Sequence, residues 1–139
     1  VYTWEGVMKM KLNHECVRDV LLFVEENIDV GYAAASQNIK IGEYSTDDIN
    51  YACLKLYEGG FLNGQPQPKN IAMHTWIIIY GLTWNGHEFL DNIREEKSWQ
   101  KTKKIVDKIG SVSLNILSST ASKVILGLIN QELAKAGLL

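Results

Sequence analysis

Cysteine and proline are the scarce residues of this chain, two of each in 139. Cys16 and Cys53 are too few and too far apart for a disulfide framework or a zinc site. Each falls in a helix-like stretch, Cys53 on its apolar side, so both read as small buried thiols in a reducing cytoplasm. A dominant charge of one sign is also missing. The net charge is −2, which excludes a global basic field that would draw in nucleic acid. No apolar run stands behind a basic start, so no secretory leader is expected. The uncharged stretch from Ile109 to Ser122 is too short and too rich in serine to span a bilayer.

Catalytic signatures are absent as well. There is no Gly-rich phosphate loop, no G-x-S-x-G and no Cys/His nucleophile pattern. His14, His74 and His87 show no pair at helical spacing, so no metal and no cofactor is implied. His87 beside Gly86 reads as a solvent-facing or capping residue. Asp47 and Asp48 are neighbours in a first helical turn, where capping explains them better than acid–base chemistry. The expectation is a protein without catalysis and without a small-molecule substrate.

What is present is an apolar fraction of 46%, enough for a real core, beside 22% charged residues. Charge is unevenly distributed. Residues 1–91 carry 6 Lys/Arg against 12 Asp/Glu, and residues 92–139 carry 8 against 4. An acidic front thus precedes a basic tail.

Hydrophobic spacing organises the chain. The first seven residues, V-Y-T-W-E-G-V, fit neither period, and Met8 or Met10 could be the true start. Residues 1–12 are expected to be disordered or non-native, the rival being a short strand that pins Trp4. Asn13 is a good N-cap, and Val17, Val20, Leu21, Val24 and Ile28 predict a helix over about 13–28, closed by Gly31. Residues 32–44 read either as one helical turn at Tyr32–Ser36 or as a strand at Asn38–Gly42. Ser45 through Asp48 open a second helix over 46–58, with Ile49, Ala52, Cys53, Leu56 and Tyr57 on its apolar stripe and Gly59–Gly60 at its end. Phe61–Leu62 resumes as strand, Asn63–Gly64 starts a turn, residues 65–70 form a loop, and residues 71–80 return as the partner strand. Two strands joined by a long loop form a wing. Thr83 to Asp107 reads as helix, with a break expected near Ser98–Trp99, and a last helix runs from Ser111 toward the C-terminus.

The fold expected is α+β: a winged helix-turn-helix-like domain over 13–93 with a helical extension over 94–139. Helix 46–58 occupies the recognition position, yet its exposed positions, Asp47, Asp48, Asn50, Tyr51, Lys55 and Glu58, hold three acids against one base. That composition suits a DNA groove poorly. The wing offers Lys69 and Asn70. The best basic group is Arg94, Lys97, Lys101, Lys103, Lys104 and Lys108, of which Lys97, Lys101, Lys104 and Lys108 share one helical face. Lys69, Asn70, Arg94, Lys97, Lys101, Lys104 and Lys108 are the candidate contact residues for DNA or a protein partner. In the tail, Leu114, Leu117, Ala121, Val124, Ile125 and Leu128 form a broad stripe that must be buried; packing on the chain's own first helix is the alternative, and self-association in a homo-oligomer through these six is the expectation. The polar side of that helix lacks the lysine density a membrane surface needs, so no membrane partner is expected.

Three segments carry a resemblance: Gly81-Leu-Thr-Trp-Asn-Gly-His-Glu-Phe-Leu-Asp-Asn-Ile-Arg, Ser98-Trp-Gln-Lys-Thr-Lys-Lys-Ile-Val and Gly110-Ser-Val-Ser-Leu. Together with Arg18-Asp-Val-Leu-Leu and Tyr44-Ser-Thr-Asp-Asp-Ile, they resemble domain-of-unknown-function family 2513 of bacteria, phages and prophages, from about Met10 to Leu133. The resemblance implies a winged-helix-like domain with a helical tail. It implies no catalytic residues.

Overall fold

A computed structural model describes residues 2–3, 7–8, 11–69 and 75–139. Trp4, Asn70 and His74, and residues 71–74 of the expected second wing strand, lie outside the described residues. The chain divides into two compact units, residues 1–83 and 84–139. The division falls ten residues before the boundary expected from sequence, because the helix at 84–93 packs with the two helices that follow it.

In the first unit, strands β1 (Tyr2–Thr3) and β2 (Val7–Met8) pair antiparallel. Helix α1 (His14–Asn27) starts at Asn13, whose side chain accepts the Cys16 N–H at 3.1 Å. Its buried side is Cys16, Val17, Val20, Leu21 and Val24, the spacing expected of a stripe facing a core. Strand β3 is only Ala34–Ala35, followed by a 3-10 turn at Ser36–Asn38. The strand expected at Asn38–Gly42 is therefore displaced. The polar–apolar alternation there is a loop that buries Ile39, while Ala34 and Ala35 take the ladder positions opposite Ile79 and Ile78.

Helix α2 (Thr46–Glu58) has the caps its sequence dictates. Ser45 accepts the Asp48 N–H at 3.0 Å, with Asp47 and Asp48 at the positive helix end. At the other end Gly60 adopts φ +84°, its N–H reaching the Tyr57 carbonyl and the Phe61 N–H the Leu56 carbonyl. This is a Schellman closure, and a Cβ-bearing residue would be strained at Gly60.

Strand β4 (Leu62–Gln67) pairs antiparallel with β5 (Trp76–Leu82), giving the order β3-β5-β4. The turn expected at Asn63–Gly64 is instead a β-bulge inside β4, and Gln65, Pro66 and Gln67 belong to the strand rather than to a loop. Proline is tolerated there because β4 is an edge strand. Ile77 and Ile79 face inward and are fully buried, as are Leu56 and Ile49 of α2. Thr83 ends the unit: its N–H donates to the Phe61 carbonyl at 3.2 Å and its hydroxyl to the Gly60 carbonyl at 2.6 Å.

The second unit is helical: α3 (Trp84–Ile93), α4 (Glu96–Ile109) and α5 (Leu114–Lys135). The break expected near Ser98–Trp99 lies at Arg94–Glu95 instead. Ser98 and Trp99 are buried inside α4, and the Ser98 hydroxyl donates to the Glu95 carbonyl at 3.0 Å. Phe89, Leu90, Ile93, Trp99, Val106, Leu114, Leu117 and Ala121 form the core. Among the described residues no helix is long and apolar enough to cross a membrane.

Candidate contact surfaces

Lys97, Lys101, Lys104 and Lys108 are exposed on one side of α4, opposite its buried Trp99, Thr102 and Val106. At 1.5 Å per residue the four ammonium-bearing positions cover about 16 Å of helix. None of the four has an acidic partner among the described residues. The remaining cations of this region are engaged. Arg94 donates to Asp91 at 2.9 Å, and Lys103 lies 3.5 Å from Asp107 and 5.8 Å over the Trp99 ring. Helical period thus separates Lys103, which braces α4, from the four lysines that project from it. Exposed Ile105 and Ile109 flank the stripe, and sequence reading missed them because they fall between two recognised faces.

The face of α2 differs. Lys55 is its one base, and its Nζ is 2.8 Å from Glu58 and 5.4 Å over the Tyr51 ring. The hydrogen bond to Glu58 raises the Lys55 pKa. Asn50, expected on the exposed side, is instead buried. Its Nδ2 donates to the Thr75 carbonyl at 2.8 Å, and its Oδ1 accepts from the Ser36 hydroxyl. The Ser36 oxygen in turn accepts the Ile77 N–H at 3.0 Å. This chain of bonds fastens the 3-10 turn, α2 and β5 together. Tyr44 joins the loop before α2 to α1 through a 2.8 Å bond to Asp19, and its pKa is raised by burial and by that bond.

Lys69 is exposed just beyond β4. Asn70, its expected neighbour in contact, lies outside the described residues. On the strand itself, Gln65 accepts from the Tyr80 hydroxyl at 3.1 Å.

The tail stripe divides into two parts. Leu114, Leu117 and Ala121 are buried within the chain, so those three cannot serve a second subunit. Val124, Ile125 and Leu128 are only partly covered, and Leu126 and Ile129 are 56% and 47% exposed. Helix length explains the difference: α5 spans 22 residues against 14 in α4, so it outruns α4 by about 12 Å.

Both thiols are buried, Cys16 in α1 and Cys53 in α2, and burial pushes each up to about 12. His87 is exposed. Among the described residues no three His, Cys, Asp or Glu side chains are grouped to hold a metal ion.

The family model described as "Hypothetical protein (DUF2513)" matches residues 11–113. A protein of Haemophilus influenzae described as "Uncharacterized protein" is 26% identical over 125 residues, covering 90% of this chain and all of that relative. No solved structure matches. The chain belongs to domain-of-unknown-function family 2513.

Proposed function

We propose that this family member is a non-catalytic regulatory protein of phage type. In this reading its first unit is a winged helix-turn-helix, and it touches DNA phosphate through the lysine side of α4. The order helix, strand, 3-10 turn, helix, strand, strand supports the winged-helix assignment, as does the placement of β3 beside β5. In it, α2 stands in the recognition position and β4–β5 form the wing. The observation that carries the phosphate contact is the set of four lysines, Lys97, Lys101, Lys104 and Lys108, on one helix face and without an acidic partner among the described residues. Phosphate contact needs free cations that displace the counterions condensed on DNA, and α2 offers none: its lysine is already paired with Glu58.

Four phosphate contacts imply that log K falls against log[salt] with a slope of about −3.6 on duplex DNA. Between 50 and 200 mM salt the affinity then drops on the order of 150-fold. Fluorescence anisotropy of a labelled random duplex across that range tests the reading. Binding that ignores salt, or no binding at 50 mM, refutes it.

A second reading is favoured by one observation. The face of α2 that would meet the major groove carries Asp47, Asp48 and Glu58 around Tyr51 and a neutralised Lys55. Such a face repels phosphate and suits a protein partner, which makes the chain an adaptor without DNA binding.

A further inference from the structure

We propose that α5 pairs antiparallel with the same helix of a second copy of this chain, across a two-fold axis at Ile129. The pairing is independent of the phosphate reading above.

An α-helix advances 100° per residue, so its side chains can be placed around the axis from sequence position. Leu114, Leu117 and Ala121 fall within about 60° of one another, and all three are buried in the chain's own core. Ile125, Ile129, Leu133 and Leu126 form a second stripe, turned from the first by about 100°. The chain covers that second stripe only in part. Leu126 and Ile129 are exposed large apolar residues, and Ile125 and Leu133 remain partly exposed. Ile125, Leu128, Ile129, Glu132 and Leu133 line a surface groove of about 320 Å³. No charged residue occurs between Lys123 and Glu132.

A helix that is apolar on two sides over its distal half is a buried helix lacking its cover. The end of α5 is nonetheless a finished one: Gly137 takes φ +73°, and the Leu138 N–H closes on the Leu133 carbonyl at 2.9 Å. The helix is therefore built to stand as a complete rod beyond α4.

Symmetry and area identify the cover. The stripe is self-complementary when reversed about Ile129. Ile125 then falls opposite Leu133, and the small Ser122 opposite the small Ala136, while Leu126 at the edge of the stripe falls opposite Glu132 at the rim of the groove. The exposed stripe amounts to an apolar patch on the order of 400 Å², the size of the largest patches on soluble monomers. Two such patches with their polar rims would bury roughly 1,000 Å² or slightly more, the lower end of specific interfaces. A closed two-fold pair uses one patch twice and leaves no open edge to propagate.

Sedimentation equilibrium of the full chain, with I129D as the main variant, tests this. The native protein should run at twice 15.7 kDa. I129D should run at 15.7 kDa with an unchanged circular dichroism spectrum, and Q131E, at an exposed position about 160° round the helix from Ile129, should stay dimeric. A native chain that is monomeric up to about 100 µM overturns the proposal, since a contact of that size is populated there. A dimer that survives I129D also overturns it. Oxidative cross-linking gives a readout that does not depend on the charged variant. Cys16 and Cys53 are buried, so an introduced thiol is the accessible one. I129C should link to itself and K123C should not. An equimolar mixture of I125C and L133C should give mixed dimers in excess over I125C homodimers. The reverse excess would mean a parallel pair and refute the arrangement.

Discussion

Replacing Ser36 by alanine removes one oxygen from a fully buried position, and the network described above sets the cost. That oxygen accepts the Ile77 N–H at 3.0 Å, and its hydroxyl proton is donated to Asn50 Oδ1. The alanine variant leaves two buried polar groups without their partner. An orphaned buried donor or acceptor costs about 1–3 kcal/mol, so S36A should lose at least about 2 kcal/mol. For a unit of this size each kcal/mol lowers Tm by roughly 4–8 °C, which puts the shift near 8–16 °C or beyond. N50A strands the Thr75 carbonyl and the Ser36 hydroxyl in the same way. The two residues share one network, so the double variant should cost less than the two single losses together, with a coupling of about 1–3 kcal/mol. Urea unfolding followed by circular dichroism measures all three. N63A is the control, because Asn63 is exposed and its bond to the Leu82 carbonyl is long at 3.4 Å. An S36A loss below about 0.5 kcal/mol, the size of an ordinary surface change, or strict additivity with N50A, would refute the account.

Three further outcomes are expected. Substituting Lys101 and Lys104 by glutamine should halve the salt slope of duplex binding, from about −3.6 to about −1.8, while K103Q should leave it nearly unchanged because Lys103 is held by Asp107. G64A should destabilise the sheet by about 1–3 kcal/mol in the same urea assay, since a Cβ there would lie 2.7 Å from the Ile78 carbonyl oxygen. The thiols of Cys16 and Cys53 should resist alkylation at pH 8 until the chain unfolds. The same burial fixes a pH effect. Between pH 9 and about 12 the unfolded thiols lose protons that the folded ones keep, so stability should fall as pH rises through that window, as alkaline urea titrations would register.

Elements that announce themselves locally were legible in the sequence. Helices α1 and α2 follow from apolar spacing plus the caps Asn13, Ser45 and Gly60, each of which acts on its own neighbours. The elements misplaced were those decided by distant partners. Ala34 and Ala35 carry no strand signal, and they become a strand because Ile78 and Ile79 lie beside them. Pro66 argues for a loop, and it sits in a strand because that strand is an edge. Asn50 reads as an exposed polar residue on a helix, and only the positions of Ser36 and Thr75 turn it inward. The lysine side of α4 could be drawn from its spacing of four, three and four. That Lys103 and Arg94 are occupied by Asp107 and Asp91 depends on rotamers, which spacing does not give. On α5 the period identified a buried stripe, and the reach of α4 decided where that burial stops.

The exit of the chain from the first unit has a mechanical consequence. It leaves from β5, the middle strand, which is laddered on both sides. At the exit, Thr83 is tied by its N–H and its hydroxyl to the two residues that follow α2. Tension transmitted along the connection to α3 therefore reaches the Thr83 ties first, then the β4 ladder at Leu82, and the β3 ladder only from Ile79. A tether built this way resists peeling, and a load applied through the helical tail is delivered to the junction of α2 with the sheet.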